Sequence, residues 1–332
     1  MAEYKGVMVY CEVAEGKLAS IAAEGLGCGR ALADDLGQEL SAVLVGASVS
    51  GLAKEAITLG ADKVYVIEDP ELKNYQTDAY LAVLDKVARQ AAPQIIILGH
   101  TSIGRDLAPR LAFRLETTVT TDCVELSIDA DSKRALMTKP VYGGNARAIF
   151  AAESSPQIAT IRIKAMTPRQ PDASREGDIV KVDAGLDPAA IKARLLEKVV
   201  EEVEGVKLED AQVVVAGGRG IGGAEGFKQL EELARLFKGA MGASRPPCDN
   251  GWVTETLQVG LTGKIIAPEL YIAVAISGSS QHMSGCSGSK TIVAINKDPE
   301  ANIFREARFG VVGDWKKVLP AFSAKVKELL AA

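Results

Sequence analysis

The glycines that end one apolar run form the first pattern that could carry chemistry. Val213–Gly223 has the sequence VVVAGGRGIGG, in which a strand-like run meets glycines at positions 218, 220 and 223 ahead of a helical pattern. This GxGxxG spacing allows a tight turn and lets the backbone approach a diphosphate at the start of the following helix. Arg219 adds a guanidinium that can bind phosphate through two donors or cover an adenine ring. The spacing alone is equally typical of a glycine-rich turn without a ligand.

Three further segments, Met241–Asp249, Leu270–Ser289 and Thr291–Asp298, have small or polar residues at the end of a predicted strand, and Asp314 ends the next strand along the chain. A fourth segment, Gln258–Lys264, is predicted as a loop in which two glycines bracket Leu261 and Thr262, so that it can approach a ligand with one hydroxyl exposed. At the carboxyl ends of parallel strands, such residues face the ligand crevice of the sheet. Each segment taken alone is also compatible with an ordinary surface turn.

His282 is the most distinctive of these residues, because the chain has only two histidines. It follows the apolar run Leu270–Ile276 and a bend that begins at Ser277, at a point where a helix is predicted to start. A histidine donor at the beginning of a helix suits a group that gains negative charge. A single histidine is also commonly structural, and no GxSxG sequence surrounds Ser277 to make it a nucleophile.

The elements that must position these residues alternate between strand and helix. Strands are predicted at Gly6–Val13, Leu40–Gly46, Lys63–Glu68 and Ile95–Gly99, and later at Thr118–Ile128, Ala135–Tyr142 and Ala146–Ile163. Helical spacing is found at Lys17–Leu36, Gly51–Leu59, Asp78–Ala91 and Ile103–Leu115. Strands that alternate with helices predict an α/β fold with a mainly parallel sheet.

The second half repeats this alternation after a polar stretch, Met166–Gly185, which is the best linker in the chain. Asp187 and Pro188 predict the start of an acidic helix that runs through Val203. Later strands are predicted at Gln212–Ala216, Tyr271–Ile276, Thr291–Ile295 and Phe309–Val312, before a final helix at Lys316–Leu330. We therefore predict two three-layer Rossmann-like α/β domains, at residues 1–165 and 187–332, joined by a linker at 166–186.

Composition excludes several classes of protein. The 332-residue chain is 47% hydrophobic with a net charge of −5, and this acidic balance argues against a nucleic-acid partner. No apolar run reaches the roughly 18 residues of a membrane span, and no targeting segment precedes the first strand, so we expect a cytoplasmic protein without direct membrane insertion. The five cysteines are scattered without a CxxC pair, which indicates reduced thiols and no metal or iron–sulfur site.

Taken together, these segments resemble the FAD-binding signature of the electron transfer flavoprotein alpha subunits, the FixB family. GGRG, GASR, QVGLTGK, IAPELYIAVAISGSSQHMSG, SKTIVAINKDPEANIF and FGVVGD occur in the order and spacing of that family. In the first half, IIILGHTSIGRDLAPRLA and KPVYGGNARA resemble two of its characteristic segments. The resemblance therefore covers nearly the whole chain.

The resemblance implies that the C-terminal domain holds one FAD. The site residues that it implies are Arg219, Ser244, Arg245, Val259, Gly260, Leu261, Thr262, Ser277, Gly278, Ser279, Ser280, Gln281, His282, Asn296, Asp314 and Trp315. Arg219 and Ser244 would contact the adenosine diphosphate part of FAD, and Ser277 through Gln281 would wrap the diphosphate and ribityl region. The adenosine end would be held by Asn296, Asp314 and Trp315.

At the flavin end, the resemblance implies that Arg245 lies against the isoalloxazine and that Thr262 presents its hydroxyl to N5. His282 would donate a hydrogen bond to the C2 carbonyl. Such contacts would favour an anionic semiquinone over the oxidised ring, because each charge-assisted hydrogen bond contributes roughly 1.5–3 kcal/mol. The chain would then be a one-electron carrier, and not a stand-alone enzyme.

The resemblance also implies partners. The chain would form a heterodimer with a beta subunit, to which the first domain offers a platform, and the beta subunit would hold AMP or a second FAD. Electrons would come from acyl-CoA dehydrogenases or similar flavin dehydrogenases of fatty acid β-oxidation, with a quinone oxidoreductase or ferredoxin as acceptor. A simple shuttle and a flavin-based electron-bifurcating system both stay open.

Two other classes compete with this interpretation. An NAD(P)-dependent Rossmann-type dehydrogenase would also explain GxGxxG, although it requires an acid–base pair for which Asp249 is only a nominal candidate. A nucleotide-binding or scaffolding module would explain the first domain. In that domain, His100 and Arg105 follow a strand, and we expect them to have a structural or subunit-contact role. A yellow colour would distinguish a flavoprotein from both alternatives.

Overall fold

Two compact units, Met1–Val199 and Val200–Ala332, make up the chain. The computed structural model describes residues 4–144, 146–189, 191–193, 195–197 and 205–331. Each unit contains a sheet whose paired strands run parallel, so the predicted α/β class with two domains is confirmed. No helix in these described ranges is long and apolar enough to cross a bilayer.

The first unit alternates strands and helices from its first strand onward. In chain order its elements are β1 (Val7–Cys11), β2 (Val13–Ala14), β3 (Lys17–Leu18), α1 (Ser20–Leu36), β4 (Leu40–Gly46), α2 (Ala53–Thr58), β5 (Lys63–Glu68), α3 (Thr77–Ala91), β6 (Ile95–Gly99), α4 (Ser102–Arg114), β7 (Val119–Cys123), β8 (Glu125–Ile128), β9 (Ala135–Val141), β10 (Ala146–Phe150), β11 (Gln157–Ile161) and β12 (Asp178–Lys181).

The main sheet of this unit has the order β12-β5-β4-β1-β6-β11-β7. β1, β6 and β11 are buried along their whole length, since helices cover both faces of a parallel sheet. β8, β9 and β10 form a separate antiparallel sheet. The stretch Ala146–Ile163 therefore divides into one antiparallel strand and one strand of the main sheet.

Helix starts in the first unit differ from the predicted ones. The helix predicted from Lys17 begins at Ser20, because Lys17 and Leu18 pair with β2 in a short hairpin. The helix predicted over Gly51–Leu59 is a short 3-10 turn at Ser50–Leu52 followed by α2.

The segment predicted as a linker contains β12, which pairs in parallel with β5 and so extends the first sheet. The helix predicted over Asp187–Val203 falls partly on residues 190, 194 and 198–204, outside the described ranges, and the described residues between 187 and 197 are not helical. Leu186 and Ile191 instead pack against the core of the first unit, and the Lys192 amide donates to Asp78. These contacts join this part of the chain to the core and to α3 of the first unit.

The second unit contains the predicted glycine-rich turn. Its elements are β13 (Val213–Gly217), α5 (Ala224–Leu236), β14 (Ala240–Ala243), α6 (Arg245–Asp249), β15 (Leu270–Val274), α7 (Ser280–Met283), β16 (Thr291–Asn296), α8 (Ile303–Glu306), β17 (Phe309–Val312) and α9 (Trp315–Ala331).

The parallel sheet of this unit has the order β14-β13-β15-β16-β17. One face packs on α5 and α9 through residues such as Leu230 and Leu319, and the other face packs on Val259, Met283 and Ile303. The chain leaves β13 toward β14 on one side and returns to β15 on the other. This reversal is a topological switch point, and ligands of such sheets bind in the crevice at the carboxyl ends of the flanking strands.

Candidate dinucleotide site

A cavity of about 750 Å³ lies at the carboxyl ends of β13 to β16. Its volume falls within the usual range of ligand pockets in proteins. Of the predicted site residues, it is lined by Arg219, Ser244, Arg245, Val259, Gly260, Leu261, Thr262, Ser277, Ser279, Gln281, His282 and Asn296. Residues that were far apart in sequence therefore meet at the switch point.

A second cavity of about 260 Å³ is lined by Asp314 and Trp315. It shares Gly220, Ala275 and two other lining residues with the larger cavity, so the two are neighbours. Gly278 and Ser280 line neither of these cavities, although they lie between residues that do.

The glycine-rich turn after β13 depends on close backbone approach. The Gly218 amide donates to the Val274 carbonyl oxygen at 2.9 Å. A Cβ atom on Gly218 would lie 2.1 Å from the Ala275 carbonyl oxygen, so no larger residue fits here without a shift of the backbone. Trp315, a buried residue, donates through Nε1 to the Gly220 carbonyl oxygen at 3.1 Å. The predicted adenosine-contact residue Trp315 thus braces the turn.

Ala275 is a site residue that the sequence analysis missed. It adopts φ of 54°, in the left-handed region that non-glycine residues seldom occupy. Its methyl group approaches Gly220, where a Cβ would be 3.0 Å away. The sequence carries no signal for this conformation, since alanine is not a typical left-handed residue.

The loop Gln258–Lys264 is fixed at both ends. The Val259 amide donates to the Ala243 carbonyl oxygen at 2.8 Å, and the Leu261 amide donates to the Gln281 carbonyl oxygen at 2.8 Å. Gln258 Nε2 donates to the Thr262 hydroxyl oxygen at 3.0 Å. The Thr262 hydroxyl proton therefore remains available for a ligand. Gln258 lines the cavity and was not among the predicted site residues.

His282 is buried at the edge of the cavity, and both of its ring nitrogens have partners within the protein. Nδ1 is 3.0 Å from the Val259 carbonyl oxygen, and Nε2 is 2.7 Å from the Tyr271 hydroxyl oxygen. Burial lowers the pKa of His282 to about 4, so the ring is neutral at pH 7. A carbonyl can only accept, so Nδ1 carries the proton and Nε2 accepts from Tyr271. In this arrangement both ring nitrogens bind protein atoms, and the bond from His282 to a flavin carbonyl stays a prediction.

Arg245 forms an ion pair with Asp249 at the rim of the cavity, with 3.2 Å between Nε and Oδ2. Its side chain is 66% exposed, so its charge can act on a ligand. Asp249, the nominal acid of the dehydrogenase alternative, is bound in this pair. Ser244 is buried, and its amide donates to the Gly217 carbonyl oxygen at 3.0 Å.

The residues after β16 and β17 are held by their own turns. Asn296 Nδ2 donates to the Ile276 carbonyl oxygen at 2.8 Å, and its Oδ1 accepts from the Asp298 amide at 3.0 Å. Asp314 Oδ1 accepts from the Lys316 amide at 3.0 Å, at the start of α9. Lys297 and Asp298 line the larger cavity and were missed, although the same strand-end rule that identified Asn296 would have found them.

In the first unit, His100 lies immediately after β6. Its Nδ1 is 2.9 Å from the Thr160 hydroxyl oxygen, which itself accepts from the Asp122 amide. Burial is the largest cause that lowers the pKa of His100. Arg105 is exposed on α4.

The parallel sheet, the glycine-rich turn and the crevice at the switch point are typical of dinucleotide-binding α/β proteins. Two known families match the chain: "Electron transfer flavoprotein domain" at residues 7–187 and "Electron transfer flavoprotein FAD-binding domain" at residues 207–287.

Characterised relatives match along their whole length. An electron transfer flavoprotein subunit alpha of Thermoanaerobacterium thermosaccharolyticum is 44% identical over 99% of this chain and 100% of its own length. Another, from Megasphaera elsdenii, is 44% identical over 99% of this chain and 98% of its own. The protein FixB of Clostridium saccharobutylicum is 40% identical over 100% of this chain and 99% of its own. The chain therefore belongs to the electron transfer flavoprotein alpha subunit (FixB) family, with a role in electron transport as a flavoprotein.

Proposed function

We infer that this chain binds one FAD in its second unit and carries electrons one at a time within a heterodimeric electron transfer flavoprotein. The observation that supports this inference best is the cavity at the switch point of the second sheet. It gathers the glycine-rich turn, the Gln258–Lys264 loop and the segment that begins at Ser277. The first and third of these segments follow β13 and β15, and the loop is joined to the end of β14 by the Val259 amide, which donates to the Ala243 carbonyl oxygen.

The residues that are present fit FAD in size, charge and shape. The cavity and its smaller neighbour together suit an elongated ligand. Arg219, Arg245 and Lys297 bring positive charge to the lining, against one carboxylate at Asp298, which favours a diphosphate. At Gly260, where φ is 148°, an added Cβ would lie 3.1 Å from the Gln281 carbonyl oxygen, so a bare backbone forms this wall.

Each group of side chains has a separate task in this proposal. Arg219 would bind the diphosphate, and Ser277, Ser279 and Gln281 would surround it. When bound, FAD supplies the redox chemistry, accepting electrons from a donor and passing them to an acceptor. Thr262 would donate its free hydroxyl proton to a flavin acceptor atom. Arg245 would offset negative charge that enters the site, at the rim where its guanidinium is exposed.

The family resemblance implies that His282 donates a hydrogen bond to the flavin C2 carbonyl, and this role stays a prediction. Its ring is neutral, and both nitrogens bind protein atoms. Direct donation from Nε2 to a flavin carbonyl would need the ring to change its protonation and Tyr271 to turn its hydroxyl. The positive charge at the flavin end therefore comes from Arg245 in this proposal.

The partners of the proposed carrier follow from its family. The second chain would be the beta subunit, which would hold AMP or a second FAD and bind the first unit. Donors would be acyl-CoA dehydrogenases or similar flavin dehydrogenases in the cytoplasm, and the acceptor a quinone oxidoreductase or ferredoxin.

Flavin content tests the FAD assignment. The chain is co-purified with the beta subunit encoded beside it, incubated with FAD or FMN, and freed of unbound ligand, and the flavin released by acid is identified and counted per alpha chain. We expect FAD to be retained and FMN to be lost, because only FAD has the adenosine end that Arg219 and the second cavity would bind. Retention of FMN, or no flavin on the alpha chain, would overturn the assignment.

A further inference from the structure

Trp315 is the first residue of α9, and its indole group contacts the glycine-rich turn that follows β13. The residue is buried, and its Nε1 donates to the Gly220 carbonyl oxygen at 3.1 Å. An indole N–H can only donate and a carbonyl oxygen can only accept, so the direction of this bond is fixed. One side chain therefore joins the last helix of the chain to the turn.

The peptide group between Gly220 and Ile221 is held on both sides. Its carbonyl oxygen accepts from Trp315, and its N–H donates to the Gly218 carbonyl oxygen at 3.1 Å. A second hydrogen bond reaches the turn from β15, where the Val274 carbonyl oxygen accepts from the Gly218 amide at 2.9 Å. The side chain of Ile221 also packs in the same buried cluster as Trp315. Thus β15 holds the beginning of the turn, and Trp315 holds its middle.

The indole ring is packed closely between α5 and the turn. At Gly226 of α5 an added Cβ would lie 3.0 Å from Cη2 of Trp315 and 2.4 Å from Cγ2 of Ile221. These distances leave no room for a larger residue unless the neighbours shift. The bare backbone of α5 therefore makes room for the ring that donates to the turn.

Gly220 lines both cavities of the candidate site. The larger cavity is also lined by Arg219, and the smaller one by Ile221, Gly222 and Trp315. The position of the peptide group between Gly220 and Ile221 therefore shapes the wall that the two cavities share.

We propose that Trp315 is a positioning residue for the adenosine diphosphate half of FAD, which acts through the Gly220 carbonyl and holds the turn in its binding shape before the ligand arrives. The part of this inference that concerns FAD rests on the proposed function, whereas the contact between Trp315 and the turn does not. A turn that is already ordered has less freedom to lose on binding. The bond from Trp315 therefore strengthens FAD binding without acting on the flavin ring.

The substitution Trp315→Phe removes the N–H and keeps an aromatic ring. In the co-purified heterodimer without FAD, we expect hydrogen–deuterium exchange in residues 218–223 to become roughly three- to tenfold faster, as for the loss of one hydrogen bond. The affinity for FAD should fall by a similar factor. The gap between the two one-electron potentials of the bound flavin should stay unchanged, because the turn lies at the diphosphate end.

Leu319→Val is the matched control, since Leu319 lies on α9 in the same buried cluster and its truncation also removes buried apolar volume. It should leave exchange in residues 218–223 unchanged and alter the affinity for FAD less than roughly twofold. If Trp315→Phe matched this control in both measurements, the positioning role would be wrong. Faster exchange with an unchanged affinity for FAD, or a changed gap between the two potentials, would also overturn it.

The exchange measurement needs no flavin, so it separates this inference from the proposed function. If the parent protein bound no flavin while Trp315→Phe, and not Leu319→Val, loosened the turn, the proposed function would fail and the contact would stand.

Discussion

Glu12 is a buried carboxyl group whose pKa lies above the usual range of glutamate. It follows β1, and the residue is 7% exposed. Its Oε1 accepts a hydrogen bond from the Thr101 hydroxyl at 2.6 Å. Burial raises its pKa to about 7. The folded state then binds more protons than the unfolded chain between pH 4.5 and 7. Stability from this group is therefore complete below about pH 4.5 and is lost as the pH rises through 7.

The substitution Glu12→Gln should remove this loss, because an amide cannot ionise and its oxygen can still accept from Thr101. At about 1.4 kcal/mol per pKa unit, we expect the free energy of unfolding at pH 8 to exceed that of the parent by on the order of 3 kcal/mol, with little difference at pH 4.5. Denaturant unfolding from pH 4.5 to 8 measures it. Glu24, whose pKa burial also raises to about 7, should preserve part of the pH dependence.

The exposed Glu71 provides the control for this comparison. Glu71→Gln should leave the pH profile of the free energy of unfolding unchanged. If the free energy of unfolding of Glu12→Gln and of the parent protein changed with pH in the same way, burial would not raise the pKa of Glu12 in the folded state.

Among single residues, the sequence predicted those that follow strands and missed those defined by contacts distant in sequence. Arg219, Ser244 and Asn296 each follow an apolar run, which the hydrophobic pattern reveals. The left-handed conformation of Ala275 and the bond from Tyr271 to His282 arise only when β13 and β15 lie side by side. A local pattern carries no information on either of these features.

At the scale of elements, two of the glycines in the turn between β13 and α5, Gly218 and Gly223, have different surroundings. At Gly218 an added Cβ would meet the Ala275 carbonyl oxygen at 2.1 Å, whereas at Gly223 nothing lies within 4 Å and the backbone is extended. Gly218→Ala should therefore displace the turn, with a loss of about 1–3 kcal/mol in the free energy of unfolding and at least roughly tenfold in FAD affinity.

Gly223→Ala is the matched control in the same motif and should change FAD affinity less than roughly twofold. Fluorescence titration with FAD and denaturant unfolding compare the two variants directly. Equal effects of the two substitutions would mean that close approach of β13 and β15 at Gly218 does not shape the binding site.

The elements that the sequence predicted well are largely buried apolar runs, such as β4, β5 and β6, whose bounds agree with the predicted ones. Short elements were harder to predict from the sequence. β12 has four residues, three of them exposed, and it exists because it pairs with the edge of the first sheet at β5. Leu186 and Ile191 pack on the core of the first unit, and the described residues between 187 and 197 are not helical. Intrinsic helix propensity does not include such tertiary contacts.

At the scale of the whole molecule, the two units, each built on a parallel sheet, have different roles in the proposed carrier. The second unit has the dinucleotide cavity, and the first unit has a packed sheet with exposed apolar residues on its periphery. We propose that the first unit binds the beta subunit while the second holds FAD. The central claim is that this assembly carries one electron at a time through the FAD of the alpha chain.

Stepwise reduction of the co-purified heterodimer with dithionite, followed by visible spectra, tests this claim most directly. The account predicts a yellow protein that passes through a spectrally distinct one-electron-reduced form before it bleaches. Each of the two reduction steps should have its own set of isosbestic points. A colourless preparation that takes up no added FAD, or an alpha-chain flavin that bleaches in a single two-electron step, would contradict it.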